Sequence, residues 1–201
     1  MKIKIIAISL IFLSATLFES CKKKGCTDSA ASNYDSHAND DDGSCHYRPK
    51  CGDHIDGGVV FYSDPTAGPG YYLVASLSDQ SAGAVWGCSG TDMYDANHIG
   101  MGWGDWDTYY ILNGCSEPNI AARICSQYNI GGAGWSLPSI EEVKSMHDNI
   151  GIIGGMPGNI YWSSTEHGVD NAYAYNCSTS SEVSLPKITI AHVRAVKKIN
   201  Y

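Results

Sequence analysis

From Cys51 onward the sequence predicts an α+β fold, on three observations: short β-rich runs, two segments with helix signals, and long Gly-rich loops between them. Gly57-Gly58-Val59-Val60-Phe61-Tyr62 reads as a turn into a strand. Tyr71-Tyr72-Leu73-Val74-Ala75 is its hairpin partner across Asp64-Pro65 and Gly68-Pro69-Gly70. Asn119 to Tyr128 spaces its apolar residues as a helix does, with Pro118 suited to the first turn. Ser139-Ile140-Glu141-Glu142 is a capping box, in which the Ser and the second Glu satisfy each other's free backbone N–H groups. It launches a second helix through about Asp148. Short strands follow at Ile160–Ser163, Ala172–Tyr175 and Ile188–Lys197. No internal repeat is visible.

Two other segments precede this domain. Lys2 and Lys4 open the chain, and Ile5 to Phe18 is an uncharged, mostly apolar run of fourteen residues. A membrane-spanning helix needs roughly 20 residues, so residues 1–20 read as an export signal. Leu17-Phe18-Glu19-Ser20-Cys21 resembles a bacterial lipoprotein cleavage box, which implies that Cys21 becomes a lipid-bearing N-terminus. Phe18 and Glu19 depart from the usual box, and ordinary cleavage that leaves Cys21 a thiol is the other reading. Residues 21–50 then form a tether, and residues 51–201 the folded domain.

The tether contains Cys26-Thr-Asp-Ser-Ala-Ala-Ser-Asn-Tyr-Asp-Ser-His-Ala-Asn-Asp-Asp-Asp-Gly-Ser-Cys45, with five aspartates and no Lys or Arg. An EF-hand reading fails on spacing. With Gly43 at the loop's glycine, Asp40 and Asp42 fall on ligand positions, but Ala38 and Pro49 stand where the first oxygen and the closing Glu belong. The segment does resemble short "CTD…DDGSC" modules of exported bacterial proteins, which look like thrombospondin-type-3 calcium repeats. That resemblance implies Asp28, Asn33, Asp35, Asp40 and Asp42 as calcium ligands. The alternative is a loop closed by Cys26–Cys45 alone, which contributes about 3 kcal/mol by restricting the unfolded chain. Either way the segment reads as a spacer.

The chain has eight cysteines. In an exported protein these point to disulfides in an oxidising compartment. With Cys21 lipidated the remainder is odd, so one thiol stays free or one bridge is intermolecular. Cys88–Cys115 is the preferred bridge across a long loop. Cys115–Cys125 is the alternative to it, and Cys51–Cys177 is an additional pairing; the sequence leaves the connectivity open.

GGVVFY (57–62), SDQSAGAVWGC (78–88), NGC (113–115), AARIC (121–125), GWSLPSIEE (134–142), YWSSTE (161–166) and VRAVKK (193–198) occur in this order. Together they resemble the Lcl C-terminal domain of collagen-like adhesins, a branch of the C-type-lectin-like superfamily, over roughly residues 55–199. The resemblance implies a C-type-lectin-like domain and a surface-displayed binding module, the adhesin members of which bind sulfated polysaccharides. The collagen repeat that trimerises them has no counterpart here, and oligomeric state is left open.

Several motifs have structural readings. Trp135 and Trp162 sit beside apolar residues, as core residues do. Arg194 should pair with a carboxylate or cap backbone carbonyls. Glu117-Pro118-Asn119 matches the mannose-binding triplet of calcium-dependent lectins, but it opens a helix and no WND-type strand follows. It therefore reads as a helix start.

The candidate binding segment is Asp92 to Tyr110, DMYDANHIGMGWGDWDTYY. Sugars present an apolar C–H face and a hydroxyl rim. Trp and Tyr rings match the first, and Asp or Asn side chains match the second. Tyr94, Asn97, His98, Trp103, Asp105, Trp106 and Asp107 are the candidate ligand contacts. The alternative is that the tryptophans fold back over the core. His98 lacks a second His or Cys at metal-ligand spacing.

Charge bounds the partner. The formal net charge is −8, and from Cys51 onward 15 Asp and Glu face six Lys and Arg. Nucleic acid is excluded, and sulfated chains are repelled unless Lys187, Arg194, Lys197 and Lys198 form a local patch. The sequence therefore predicts a non-catalytic, lipid-anchored recognition or adhesion module of the cell envelope, at the outer membrane. It is expected to bind a neutral glycan or a protein surface. A structural subunit of an envelope complex is the alternative. A formylglycine-generating type of enzyme using Cys88, Cys115 or Cys125 is a further one.

Overall fold

The computed structural model describes residues 22–64 and 70–200. The expected export signal over residues 1–20, Cys21 and residues 65–69, expected to be a turn, lie outside the described residues. The chain divides into two units, Met1–Arg48 and Pro49–Tyr201. Among the described residues no helix is long and apolar enough to cross a membrane.

In the first unit β1 (Lys24–Gly25) pairs in parallel with β2 (Asp40–Asp41). The Cys26–Cys45 disulfide closes the loop between them and beyond. Its buried apolar content is slight, namely Cys26 and Ala31. Short aspartate turns supply the order instead. Asp28, Asp35, Asp41 and Asp42 each accept the backbone N–H two residues on, the turn that Asp forms with its own chain. Asn33 ties the ends together, donating to the Ser44 carbonyl and accepting from the His46 N–H.

The second unit is a mixed α+β fold. In chain order it runs β3 (His54–Ile55), β4 (Gly58–Ser63), β5 (Tyr71–Ser76), β6 (Ser81–Ala84), α1 (Gly104–Gly114) and α2 (Ala121–Gln127). Then come β7 (Trp135–Ser136), α3 (Ile140–Asp148), α4 (Ile150–Ile153), β8 (Ile160–Glu166), β9 (Asn171–Asn176), β10 (Ser181–Pro186), β11 (Ala191–Val193) and β12 (Val196–Asn200). One sheet has the order β3-β4-β5-β12-β7 and is antiparallel throughout. The other has the order β10-β9-β8-β11-β6, with one parallel pair, β8 with β11.

The first of these sheets is covered on both faces, which explains its unbroken apolar strands. Val60 and Val74 face one cluster with Trp86, Ile111, Ile120, Trp135, Leu137 and Trp162. Their neighbours Val59, Phe61, Leu73 and Ala75 face a second cluster with Ile140, Val143 and Met146 of α3. The tryptophans read as core, Trp135 and Trp162, are buried. The expected capping box is formed, with the Ser139 hydroxyl accepting from the Glu142 N–H and the Glu142 carboxylate accepting from the Ser139 N–H.

Several expectations change. Two helices were expected and four are found among the described residues; α1 occupies the second half of a segment read as loop. Pro118 is not in the first turn of α2, which begins at Ala121 after Ile120 as N-cap. The single strand expected over Ile188–Lys197 is two short strands in different sheets. They separate at Arg194, whose buried guanidinium donates to the Ser76 and Gly154 carbonyls and lies 3.9 Å from Asp79. It thus does both things expected of it. Cys88–Cys115 is formed. Cys51, Cys125 and Cys177 are free, the first exposed and the other two buried, so neither Cys115–Cys125 nor Cys51–Cys177 is formed.

Candidate functional site

Residues 91–104 are fastened almost turn by turn. The buried Lys187 ammonium donates to the Thr91 carbonyl and pairs with the buried Glu166 carboxylate, which in turn accepts the Met93 N–H. Met93 and Ala96 point inward, while Tyr94 is 81% exposed. Further on, the Thr165 hydroxyl donates to the His98 carbonyl, Ser139 to that of Gly100, and Tyr71 to that of Met101. Glu142 then receives the N–H groups of Gly102 and Ser139 at 2.7 and 2.9 Å and lies near that of Gly104. Burial pushes its carboxyl up to about 7 against those three hydrogen bonds.

Two glycines make this closeness possible. Gly102 has φ +80°, and a Cβ there would meet the Tyr71 ring at 2.9 Å. A Cβ on Gly104 would meet a Glu142 carboxylate oxygen at 2.4 Å and the Leu137 carbonyl at 2.6 Å. The Gly-rich frame of the segment is therefore a docking feature that brings backbone against a buried carboxylate.

Helix α1, which starts here, is inverted in polarity. Its buried side carries Gly104, Asp107, Thr108 and Ile111, at helical spacing. Thr108 hydrogen-bonds both the carbonyl and the N–H of Leu137. Asp107 is fully buried, 2.8 Å from His98 Nδ1, and accepts from the Ser164 hydroxyl at 3.0 Å. Burial raises the Asp107 carboxyl to about 6, opposed by the His98 and Ser164 hydrogen bonds. Polar groups so satisfied hold the helix down without an apolar stripe.

Three large aromatic side chains stay outside, whereas Ile111 is buried and Tyr110 and Leu112 pack partly against the core. Trp103 is 43% exposed, Trp106 47% and Tyr109 61%. Trp103 stacks on His98, centroids 4.3 Å apart and planes 8° from parallel, and meets the edge of Trp106 at 6.4 Å. Trp106 and Tyr110 lie 5.4 Å apart at 50°, and Tyr109 and Tyr110 5.4 Å apart at 89°. Asp105, Trp106, Tyr109 and Tyr110 line an open hollow of about 430 Å³.

Among the residues expected to contact ligand, the structure groups His98, Trp103, Asp105 and Trp106 on one aromatic face. Tyr94 and Asn97 are exposed on the loop before it, with no ring contact to that face. Asp107 is corrected: it is a buried positioning group and reaches no ligand. Tyr109 and Tyr110, which line the same hollow as Trp106, were not among the expected residues. Their signal was their spacing, three and four residues after Trp106, which counts only once the segment is recognised as helix.

The other expected groups are placed differently. Asp28 Oδ2 accepts the Tyr47 hydroxyl, Asp35 pairs with Lys23 at 2.7 Å, and Asp40 lies 4.0 Å from Lys22. With Asp42 and Asn33 engaged as turn and tie, these oxygens serve separate partners. Among the described residues, no three acidic side chains of this module converge as a metal site would need. The arrangement does not fit a single calcium ion. Cys88, Cys115 and Glu117 do cluster, but the sulfurs are joined in a disulfide and the Glu117 carboxylate accepts the Cys88 N–H. Asn119 sits in a turn with φ 57° ahead of α2. Burial pushes the Cys125 thiol well above its ordinary range and the Cys177 thiol up to about 11, so both are held as neutral thiols.

The basic patch is also absent. Lys187 and Arg194 are buried. Lys197 pairs with Asp56 at 3.0 Å, and Lys198 donates to the Gly102 carbonyl beside Asp105. Another hollow, of about 350 Å³, is lined by Ser78, Asp79, Gln80, Ile124, Gln127 and Tyr128. Compared with the sequence profiles of known families and with curated proteins, the chain matches none.

Proposed function

We propose that the protein is a lipid-anchored cell-envelope recognition module whose second unit has the C-type-lectin-like arrangement and binds a glycan through the aromatic face of α1. The observation that carries this reading is the inverted helix. A helix that buries Asp107 and Thr108 while leaving Trp106 and Tyr109 in water has its surface aromatics held in place by polar groups beneath them. Large exposed rings grouped on a fastened backbone are the usual means of meeting the C–H face of a sugar. The ordered motifs from GGVVFY to VRAVKK support the superfamily assignment. Lys2, Lys4, the apolar run to Phe18 and Cys21 support export and lipidation. The commitment of the C-terminal cations to buried or paired positions favours a glycan without sulfate.

The test is a double substitution, Trp103→Ala with Trp106→Ala, read on a glycan array with near-ultraviolet circular dichroism as a fold control. The native protein should bind a subset of non-sulfated glycans, and the variant should keep its fold and lose them. Binding that survives in the folded variant, or a native protein that binds only protein partners, overturns the reading. Replacing Cys21 by Ser should release the protein from the membrane fraction.

A further inference from the structure

We propose that the hollow beside Trp106 selects glycans that carry a free amino group, holding the ammonium against the Trp106, Tyr109 and Tyr110 rings with Asp105 at the rim. This rests on the reading of the aromatic face as a glycan site and goes one step further, to the charge of the ligand.

Ring geometry is the first support. A flat sugar face is best met by a single exposed ring or by coplanar rings. Here the planes of Trp106 and Tyr110 differ by 50° and those of Tyr109 and Tyr110 by 89°, while all three rings line one hollow. Rings so inclined cannot all lie flat on one sugar face. A compact cation needs only one open ring face and a nearby carboxylate, and the hollow is lined by three rings and Asp105.

Charge placement is the second. The hollow has a carboxylate at its edge. Asp105 is half exposed, and its Oδ1 accepts the Trp106 N–H. Lys198 Nζ donates one of its three N–H groups to the Gly102 carbonyl at 2.8 Å and stands 3.8 Å from Oδ2, an ion pair beyond hydrogen-bond reach. Oδ2 can therefore accept a hydrogen bond from an incoming ammonium, which competes with Lys198 for it.

The field of the whole unit adds the third. Each of the six Lys and Arg from Cys51 onward already has a partner. Lys187 and Arg194 are buried, Lys197 and Lys198 are held as described, Arg123 donates to the Cys115 and Glu117 carbonyls, and Lys144 lies 3.8 Å from Glu141. The surplus of carboxylates is left to set the surface potential, which draws cations in and repels anions.

The experiment compares an oligomer of glucosamine with the N-acetylglucosamine oligomer of the same length, at a pH where the free amines are protonated. Binding is followed by tryptophan fluorescence and calorimetry on the whole protein. The amine-bearing oligomer should bind at least about tenfold tighter, and added salt should erode that ratio. Asp105→Asn should collapse the ratio towards unity. Equal binding of the two oligomers, with both lost in Trp106→Ala, overturns the ammonium preference and leaves the aromatic glycan site standing. Tighter binding of the acetylated oligomer, or binding of neither, also overturns it. Failure of the glycan reading itself is seen separately, as an array on which the native protein binds nothing.

Discussion

The two units of the chain reach order by opposite routes. The first has five aspartates between its bridged cysteines, two buried apolar residues, one disulfide and a series of aspartate turns. The second buries tryptophans, valines and isoleucines on both faces of a sheet and uses its disulfide as an addition. A short segment without a core can be fixed by restricting its unfolded state. A longer one is fixed by removing apolar surface from water.

Breaking the core should show the largest effect. Trp162→Ala removes a fully buried ring whose Nε1–H donates to the Ala84 carbonyl. It should cost about 3–5 kcal/mol in chemical denaturation of the second unit. The double change Cys26→Ser with Cys45→Ser should cost about 3 kcal/mol, and in the first unit that is enough to abolish order. Amide resonances of residues 22–48 should collapse to random-coil shifts. The matching pair Cys88→Ser and Cys115→Ser removes a similar amount but should leave the second unit folded, because the core remains.

Glu142 sharpens the contrast, since it is a buried charge in the unit that depends on apolar burial. Glu142→Gln should destabilise by about 2 kcal/mol near pH 8, because an amide cannot accept from all three N–H groups. The folded carboxyl is raised to about 7 from its ordinary 4.5, and Asp107 to about 6 from 3.8. Between those values the folded state holds more protons than the unfolded state. Stability is therefore greatest below the unfolded values and falls as pH rises through about 6 to 7. The native melting temperature should drop from pH 5 to pH 8, and the drop should shrink in Glu142→Gln. The smallest effect belongs to Asp28→Ala. It loses one turn and the Tyr47 hydrogen bond, and the amide resonances of residues 22–48 should stay dispersed.

Legibility in the sequence follows the same division. The β4–β5 hairpin, α2 and α3 were readable because apolar spacing and the Ser139–Glu142 capping box state them locally. Helix α1 was not, because the residues on its buried side include Gly104, Asp107 and Thr108, which hydropathy does not count as core. Its glycines, aspartates and tyrosines are also weak helix formers. Inward Asp107 depends on His98 and Ser164, partners that only the tertiary structure supplies. Strand β10 was hidden by Ser181, Glu182 and Pro186 around Val183 and Leu185, a composition tolerated at a sheet edge. The break at Arg194 could not be read from the alternation in the second half of Ile188–Lys197. It is visible only once the Ser76 and Gly154 carbonyls are seen converging on the guanidinium.

Strands β11 and β12 each lie inside a sheet, the former between β8 and β6 and the latter between β5 and β7. Both therefore await residues 191–200, so neither sheet can zip shut on a nascent chain until that decade has left the ribosome. Until then the paired hairpins carry open inner edges. Closure of both sheets in the second unit is thus completed by β11 and β12.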